Sequence, residues 1–298
     1  MKQVLLAFAL GAAFSAAGQI AVTGKPEPLM RGTQSQLFNP VLSADGSKLL
    51  VSESDFSNLR IYDFNSGACM QICSDLRSGF DAQFTPDGSK VVYVAQTFDN
   101  SGKALRQLRQ YDINAGTNTN MSELSHSVGR PAVANSGTET VINGKVKTNG
   151  KKLDKLVRTE GSNLYITVNG KENCYSPVPS QAGYCWESLS PDGTKVMFFA
   201  AGKGIIICDL NGNILRELGN YESPVWFGNN HVVAMHATDD GHQYRSSQIV
   251  LLDTKSSAMQ ELTKPESMTM CPTASFQSSK IVYNTIDGLL YQMSVTLK

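Results

Sequence analysis

The side chains of this chain best suited to chemistry are a few charged and aromatic residues standing at the start of short apolar runs. Asp81, Arg130 and the pair Trp186-Glu187 hold this place, and Asn39, Ser223 and Cys271 hold it in three further segments. An acid, a base, an aromatic ring and an amide gathered at one mouth can hold a polar ligand or a peptide loop. His231, His236, Asp239, Asp240 and His242 form a second grouping, of residue types that ligate divalent metals. On a single strand, however, His231 and His236 are an odd number of residues apart and face opposite sides. Asp-Asp-Gly is also ordinary loop composition. Four aspartates, Asp63, Asp112, Asp209 and Asp253, recur at one position ahead of small or polar residues. A carboxylate there bonds the amides of its own turn, so these four are turn formers.

The six cysteines are an even number, which in an exported protein invites disulfides. Within one strand Cys69 and Cys73 would lie about 13 Å apart, against about 7 Å tolerated, so they cannot bridge. Cys174 and Cys185 are a possible pair across neighbouring strands. No CxxC or Cys/His cluster points to zinc. Neither a metal nor a cofactor is expected.

The elements that must position these residues are repeats. Phe80–Val94 reads FDAQFTPDGSKVVYV, Phe38–Val51 reads FNPVLSADGSKLLV, and Cys185–Phe199 reads CWESLSPDGTKVMFF. Asp-Gly between two apolar runs is a strong hairpin signal, and it predicts a two-residue type I′ turn with φ > 0 at both central positions. Six units begin near Phe38, Phe80, Gly129, Cys185, Ser223 and Cys271. Their spacing of roughly 40 to 55 residues is that of four-stranded propeller blades. Pro40, Pro131, Pro224 and Pro272 share one column of the first strands. Proline lacks a donor, so this column belongs on a sheet edge such as an innermost strand.

Second strands are expected at KLLVSE, KVVYVA, ETVING, KVMFFA, HVVAMH and KIVYNT, and third strands at NLRIYDF, LRQYDI, NLYITV, GIIICDL, QIVLLDT and GLLYQMS. Fourth strands are weaker, and the sixth unit stops at Lys298 without one. The segment QIAVTGKPEPLM, residues 19–30, is an orphan strand that could supply it and close the ring, removing two open edges. Unit 3 departs from the pattern, with residues 143–154 as a basic, glycine-broken insert. Units 2 and 5 carry long loops between their second and third strands, QTFDNSGKALRQ and HATDDGHQYRSS.

Lys plus Arg and Asp plus Glu number 26 each. That balance argues against nucleic acid, which needs a basic surface to displace phosphate counterions. Charged residues are only 17% of the chain, as expected for sheets packed on both faces. Residues 1–18 combine a positive start, an apolar run from Val4 to Phe14 too short to span a bilayer, and the small residues Ser15-Ala16-Ala17-Gly18. This reads as a signal peptide, followed by one domain over residues 19–298.

The repeats TPDGSKVVYV, SPDGTKVMFF and SADGSKLLV resemble the WD40-like (PD40) repeats of the TolB-type propeller family. The resemblance extends over essentially the whole mature chain and is specific in three units. It implies an all-β, six-bladed propeller, and in TolB a periplasmic protein that binds other envelope proteins. TolB's separate N-terminal α/β domain has no room ahead of the first unit, so TolB's own partners do not carry over. Related repeats occur in peptidases and polysaccharide lyases, and the family fixes fold far better than function. There is no G-x-S-x-G elbow, and the Asp-Gly turns lack the Ser-x-Asp-x-Gly spacing of sialidase boxes.

The sequence thus reads as a six-bladed all-β propeller closed by its N-terminal strand, periplasmic or secreted and monomeric, with no membrane span. Its expected function is non-catalytic binding or scaffolding of an envelope protein or glycan at a mouth formed by Asn39, Asp81, Arg130, Trp186 and Glu187. The alternative is a carbohydrate-active enzyme using Arg130, Asp81, Glu187 and His236.

Overall fold

The computed structural model describes residues 20–30, 36–131, 133, 140–142, 145–147, 155–179, 182–256 and 258–298. Residues 1–18, expected to be a signal peptide, lie outside these residues, as does most of the basic insert. Among the described residues the chain is β throughout, apart from one 3₁₀ turn at Pro265–Ser267. No described helix is long and apolar enough to cross a membrane.

The sheets form the six blades of a ring. Blade 1 contains Phe38–Leu42, Lys48–Ser52, Leu59–Asp63 and Cys69–Cys73, antiparallel and in that spatial order. Blade 2 contains Gln83–Phe84, Lys90–Phe98, Ala104–Asp112 and Thr117–Asn120. Blade 4 contains Tyr184–Leu189, Lys195–Ala200, Gly204–Asp209 and Ile214–Gly219. Blade 5 contains Glu222–Phe227, His231–Asp239, Tyr244–Asp253 and Met259–Glu261, and blade 6 begins with Thr269–Ser275, Lys280–Thr285 and Leu290–Leu297.

The N-terminal strand completes blade 6. Ala21–Thr23 pairs with Leu290–Leu297, with Ala21 opposite Leu297, and Glu27–Pro28 pairs lower on the same strand. Gln260 of blade 5 fastens this strand sideways. Its Oε1 accepts from Ala21 N at 2.9 Å and its Nε2 donates to Ala21 O at 3.1 Å.

Blade 3 differs from the sequence expectation. Its second strand is Lys155–Glu160, paired with Asn163–Val168 and then Lys171–Tyr175, and not the ETVING segment. Thr140–Ile142 instead pairs with Lys145–Lys147 in a separate two-stranded ribbon. The expected first strand, GRPAVA, falls partly outside the described residues.

Each second strand is a run of apolar residues because both of its faces are covered, alternate side chains pointing to opposite neighbours. Leu50 packs with Val91 and Tyr93 of blade 2, whereas Leu49 and Val51 pack with Val282 and Leu290 of blade 6. Val196 and Phe198 of blade 4 meet Leu164 and Ile166 of blade 3, while Met197 meets Val232 and Ala234 of blade 5. The core therefore lies between blades and not within any one of them.

The Asp-Gly turns are not the two-residue type I′ turns expected. In each of the three copies only the glycine has positive φ (Gly46, +68°; Gly88, +66°; Gly193, +64°). Gly46 N donates to Ser43 O at 2.8 Å, and Ser43 N to Lys48 O at 2.9 Å. The loop is thus four residues long, a type I turn followed by a left-handed glycine. The aspartate explains the preference. Asp45 Oδ1 accepts from Ser43 Oγ (2.6 Å) and Ser47 N (3.0 Å), while Ser43 Oγ accepts from Lys48 N (2.9 Å). Asp87 and Asp192 repeat this network with Thr85 and Ser190. The Asp63-type aspartates are turn formers as expected, Asp63 Oδ1 accepting from the backbone of Asn65 and Ser66, and Asp209 Oδ1 from Asn211 and Asn213.

The segments read as long loops in blades 2 and 5 are mostly strand. Lys90–Phe98 and Ala104–Asp112 remain paired out to Phe98 opposite Ala104, and His231–Asp239 and Tyr244–Asp253 out to Asp239 opposite Tyr244. Their alternating residues sustain the ladder, and Asp99 and Asp240 close tight turns at the tips. Blades three apart in a ring of six stand opposite each other. Two ribbons therefore rise on either side of one face.

Candidate functional site

The face bearing these ribbons is also where the first strands start. In blades 1, 4, 5 and 6 the ladder shifts register at that start, between Phe38 and Val41, Cys185 and Ser188, Glu222 and Val225, and Met270 and Thr273. The skipped residues begin with a left-handed one: Asn39 (+54°), Trp186 (+55°), Ser223 (+49°) and Cys271 (+49°), and Asp81 of blade 2 shares the conformation (+57°). Side chains other than glycine rarely adopt it. These bulges re-aim the first side chain in blades 1, 4, 5 and 6, and the innermost strand accepts the prolines that follow because it is a sheet edge. Pro40, Pro131, Pro224 and Pro272 are all buried.

The column is thus physically one ring of positions, but its members do not all interact. The structure brings Asp81, Arg130 and Glu187 together and leaves Asn39 apart on blade 1. Arg130 Nε lies 3.1 Å from Asp81 Oδ2, tying blade 3 to blade 2. The pair is not aligned for a hydrogen bond, so this buried carboxylate oxygen has no hydrogen-bond partner among the described residues. Burial pushes the Asp81 carboxyl up; Arg130 and Arg77 pull it down and Glu187 pushes it further up. The Cys185 thiol is raised by burial and feels the same Arg130, Glu187 and Asp81 charges.

Glu187 is held by blade 3, with Thr159 N donating to its Oε1 at 3.2 Å and Thr159 Oγ1 to its Oε2 at 2.9 Å. Trp186 is 38% exposed and meets the Phe199 ring edge-on at 5.2 Å. Across the mouth, Tyr244 Oη donates to Glu222 Oε2 at 3.0 Å, and burial first, then Glu222, raises the tyrosine to about 12. Cys271 is raised to about 11 by burial and by Glu222.

Sequence reasoning missed several members of this face. Glu222 directly precedes Ser223 and was open to view there, and Tyr244 lies in the segment read as a loop. Arg77 and Arg106 had no signal, because they reach the mouth only through the blade 1–blade 2 connection and the third strand of blade 2.

The histidines do not assemble. His236 packs against the Tyr221 ring at 5.2 Å, His231 stands opposite Asp253, and His242 lies in the exposed tip of its ribbon. Among the described residues no three His, Cys, Asp or Glu side chains are grouped to hold a metal. All six cysteines are free, so the Cys174–Cys185 pair is not formed. Cys174 is opposite Tyr165 on the outer strand of blade 3, while Cys185 is opposite Phe199 on the inner strand of blade 4.

No protein-family model matches the chain, and no curated protein matches its sequence. Solved structures match it in fold. The β-propeller domain of Cps50 (Swd1) from Myceliophteria thermophila is 10% identical, with a TM-score of 0.62 over 93% of this chain and 100% of that one. A chain of the Mitotic Checkpoint Complex is 11% identical, with a TM-score of 0.56 over 99% of each. TolB from Acinetobacter baumannii is 17% identical with a TM-score of 0.50, over 77% of this chain but only 54% of TolB. At such identities the likeness is one of backbone architecture alone: the chain is a six-bladed β-propeller.

Proposed function

We propose that this protein is an exported, non-catalytic binding or scaffold propeller that holds a protein partner at the mouth face. One observation supports this reading above the others: every first strand with a register shift turns its leading side chain by a left-handed bulge, and those side chains ring a face flanked by two raised ribbons. Costly backbone conformations repeated at one place belong with a surface that must present side chains in a set geometry. Trp186 and Arg130, both exposed there, are residue types enriched at binding hot spots. The Swd1 domain and the Mitotic Checkpoint Complex chain, which share this architecture, are consistent with an assembly role.

The carbohydrate-active alternative asks Glu187 for a free carboxylate, and both of its oxygens are held by Thr159. His236, its other candidate, lies in blade 5 against Tyr221. The geometry brings Asp81, Arg130 and Glu187 together but leaves His236 apart from them.

The test places a photo-cross-linking amino acid at Trp186 and, separately, at Leu215, an exposed residue of the outer strand of blade 4. The expected result in envelope extract is a discrete protein adduct from position 186, none from 215, and its loss in the Asp81→Ala/Arg130→Ala double variant. Equal adducts from both positions, or an unchanged adduct in the double variant, overturn the proposal. Retention of glycan-array spots by the wild type alone would replace the protein partner with a glycan.

A further inference from the structure

Between blades 2 and 3, at the rim of the mouth, lies a pocket of about 60 Å³ whose charges are unbalanced. Arg77, Arg106 and Arg130 border it against the single carboxylate of Asp81, over an apolar floor that includes Phe80, Val94 and Val128. Glu187, whose charge acts on Asp81, has its oxygens held by Thr159. Arg130 is paired with Asp81, but among the described residues neither Arg77 nor Arg106 has a carboxylate within ion-pair distance. Arg106 is steadied by Gln96, its Nε donating to Oε1 at 3.1 Å. Arg77 sits in a left-handed backbone conformation, its guanidinium 4.3 Å from the centroid of the Phe80 ring. Phe80 is propped edge-on by Phe56 at 5.1 Å. Two guanidinium groups are thus fixed at a partly enclosed opening without an ion pair of their own, and three arginines share the one carboxylate of Asp81.

We propose that this pocket binds a carboxylate presented by a peptide, as an Asp or Glu side chain or a chain's C-terminal group. Guanidinium groups match a carboxylate with parallel N–H donors, and the partial enclosure of the opening limits the water that competes for them. Size limits how much of the ligand enters. One water needs about 10–15 Å³ of such space, so the pocket accepts about four to six non-hydrogen atoms. That is a carboxylate with the carbons that carry it, and the rest of the ligand lies outside the opening. The inference rests on the mouth reading for its biological meaning, but its test needs no partner.

The probe pair is N-acetyl-phenylalanine and its amide, alike except for the charge. Binding is followed in the whole protein through the Nε–Hε NMR signals of arginine, assigned by single variants. The carboxylate is expected to move the Arg77, Arg106 and Arg130 signals saturably, while the amide leaves them in place. Arg106→Gln is expected to weaken binding about tenfold, equivalent to about 1.4 kcal/mol. Asp81→Asn is expected to tighten it, since this change removes the acid that competes for Arg130. A merely structural Asp81 gives the opposite sign.

Equal shifts from acid and amide, or weaker binding by Asp81→Asn in a folded protein, overturn the proposal. Tighter binding of glucuronate than of N-acetyl-glutamate would overturn the peptide source. Absence of any cross-link from position 186 in the otherwise wild-type protein, with carboxylate binding intact, would instead count against the mouth reading alone.

Discussion

The ring is closed by the N-terminal strand and by one side chain from the neighbouring blade 5, so Gln260 is where closure can be tested. Ala21 is fully buried, and Gln260 satisfies both its N–H and its C=O. Gln260→Ala removes two hydrogen bonds, each worth about 0.5–1.5 kcal/mol, and leaves two main-chain groups to find other partners. Gln260 is itself half-buried, so water can reach part of the gap. A loss of about 2 kcal/mol follows, which lowers the melting temperature of a domain of this size by about 4–8 °C. Gln260→Glu is the sharper variant. It keeps an acceptor for Ala21 N but sets a second oxygen against Ala21 O, where the donor now lies at 3.1 Å. It should cost at least as much as alanine despite its nearly identical shape. Differential scanning calorimetry measures the shift, and hydrogen exchange of the 20–30 segment should speed up in both variants. A Gln260→Glu protein as stable as wild type, with unchanged exchange there, would refute closure through this clasp.

Two further outcomes follow from the same physics. Glu187→Ala should destabilise the protein by about 1–3 kcal/mol by releasing the backbone and hydroxyl of Thr159 between blades 3 and 4, and an unchanged melting temperature would show that the carboxylate is free for other work. Acid should weaken the repeat turns. Burial pushes the Asp45 carboxyl up, but hydrogen bonds from Ser43 and Ser47 and the Lys48 charge outweigh it and hold the carboxyl at about 2; Asp87 and Asp192 are lowered in the same way. A depressed folded value gives stability that is present above the unfolded value of about 3.9 and lost as pH falls through the folded one. Asp45→Asn should therefore flatten the fall in stability between about pH 4 and pH 2, and an acid-unfolding curve that superposes on wild type would contradict this.

Much of this protein was legible in the chain because a propeller repeats its instructions. Strands such as KVMFFA and KIVYNT are buried on both faces, so each appears as an unbroken apolar run, and both occur at the predicted residues. The orphan strand at residues 19–30 could be paired with the missing one in unit 6 by counting. Blade 3 was misread for a physical reason. Its second strand is displaced by an insertion, and ETVING offered a β-prone run at the expected spacing. The signal that identifies the true strand was nevertheless present: Lys155 opens it, as Lys48, Lys90, Lys195 and Lys280 open four others. In three of the five it reaches to the adjacent blade, Lys155 Nζ donating to Gly193 O at 2.9 Å, Lys280 Nζ to Gly46 O at 3.0 Å and Lys195 Nζ to Asn229 O.

By itself the sequence determined the all-β class, the blade count, the closing strand, the turn-forming aspartates and the column of leading residues. All of these follow from periodicity, proline's missing donor and short-range hydrogen bonding. The tertiary structure decided which column members meet. Asp81 and Arg130 are 49 positions apart, and Glu187 meets Thr159 across 28, because neighbouring blades bring their strand starts together. It also decided the turn type, since the Asp45 side chain fixes a right-handed first half that the dipeptide alone does not reveal. The arginine pocket belongs wholly to the tertiary level. Arg77, Arg106 and Arg130 come from a connection, a third strand and a strand start, and only the ring packing of blades 2 and 3 puts three like charges around one opening.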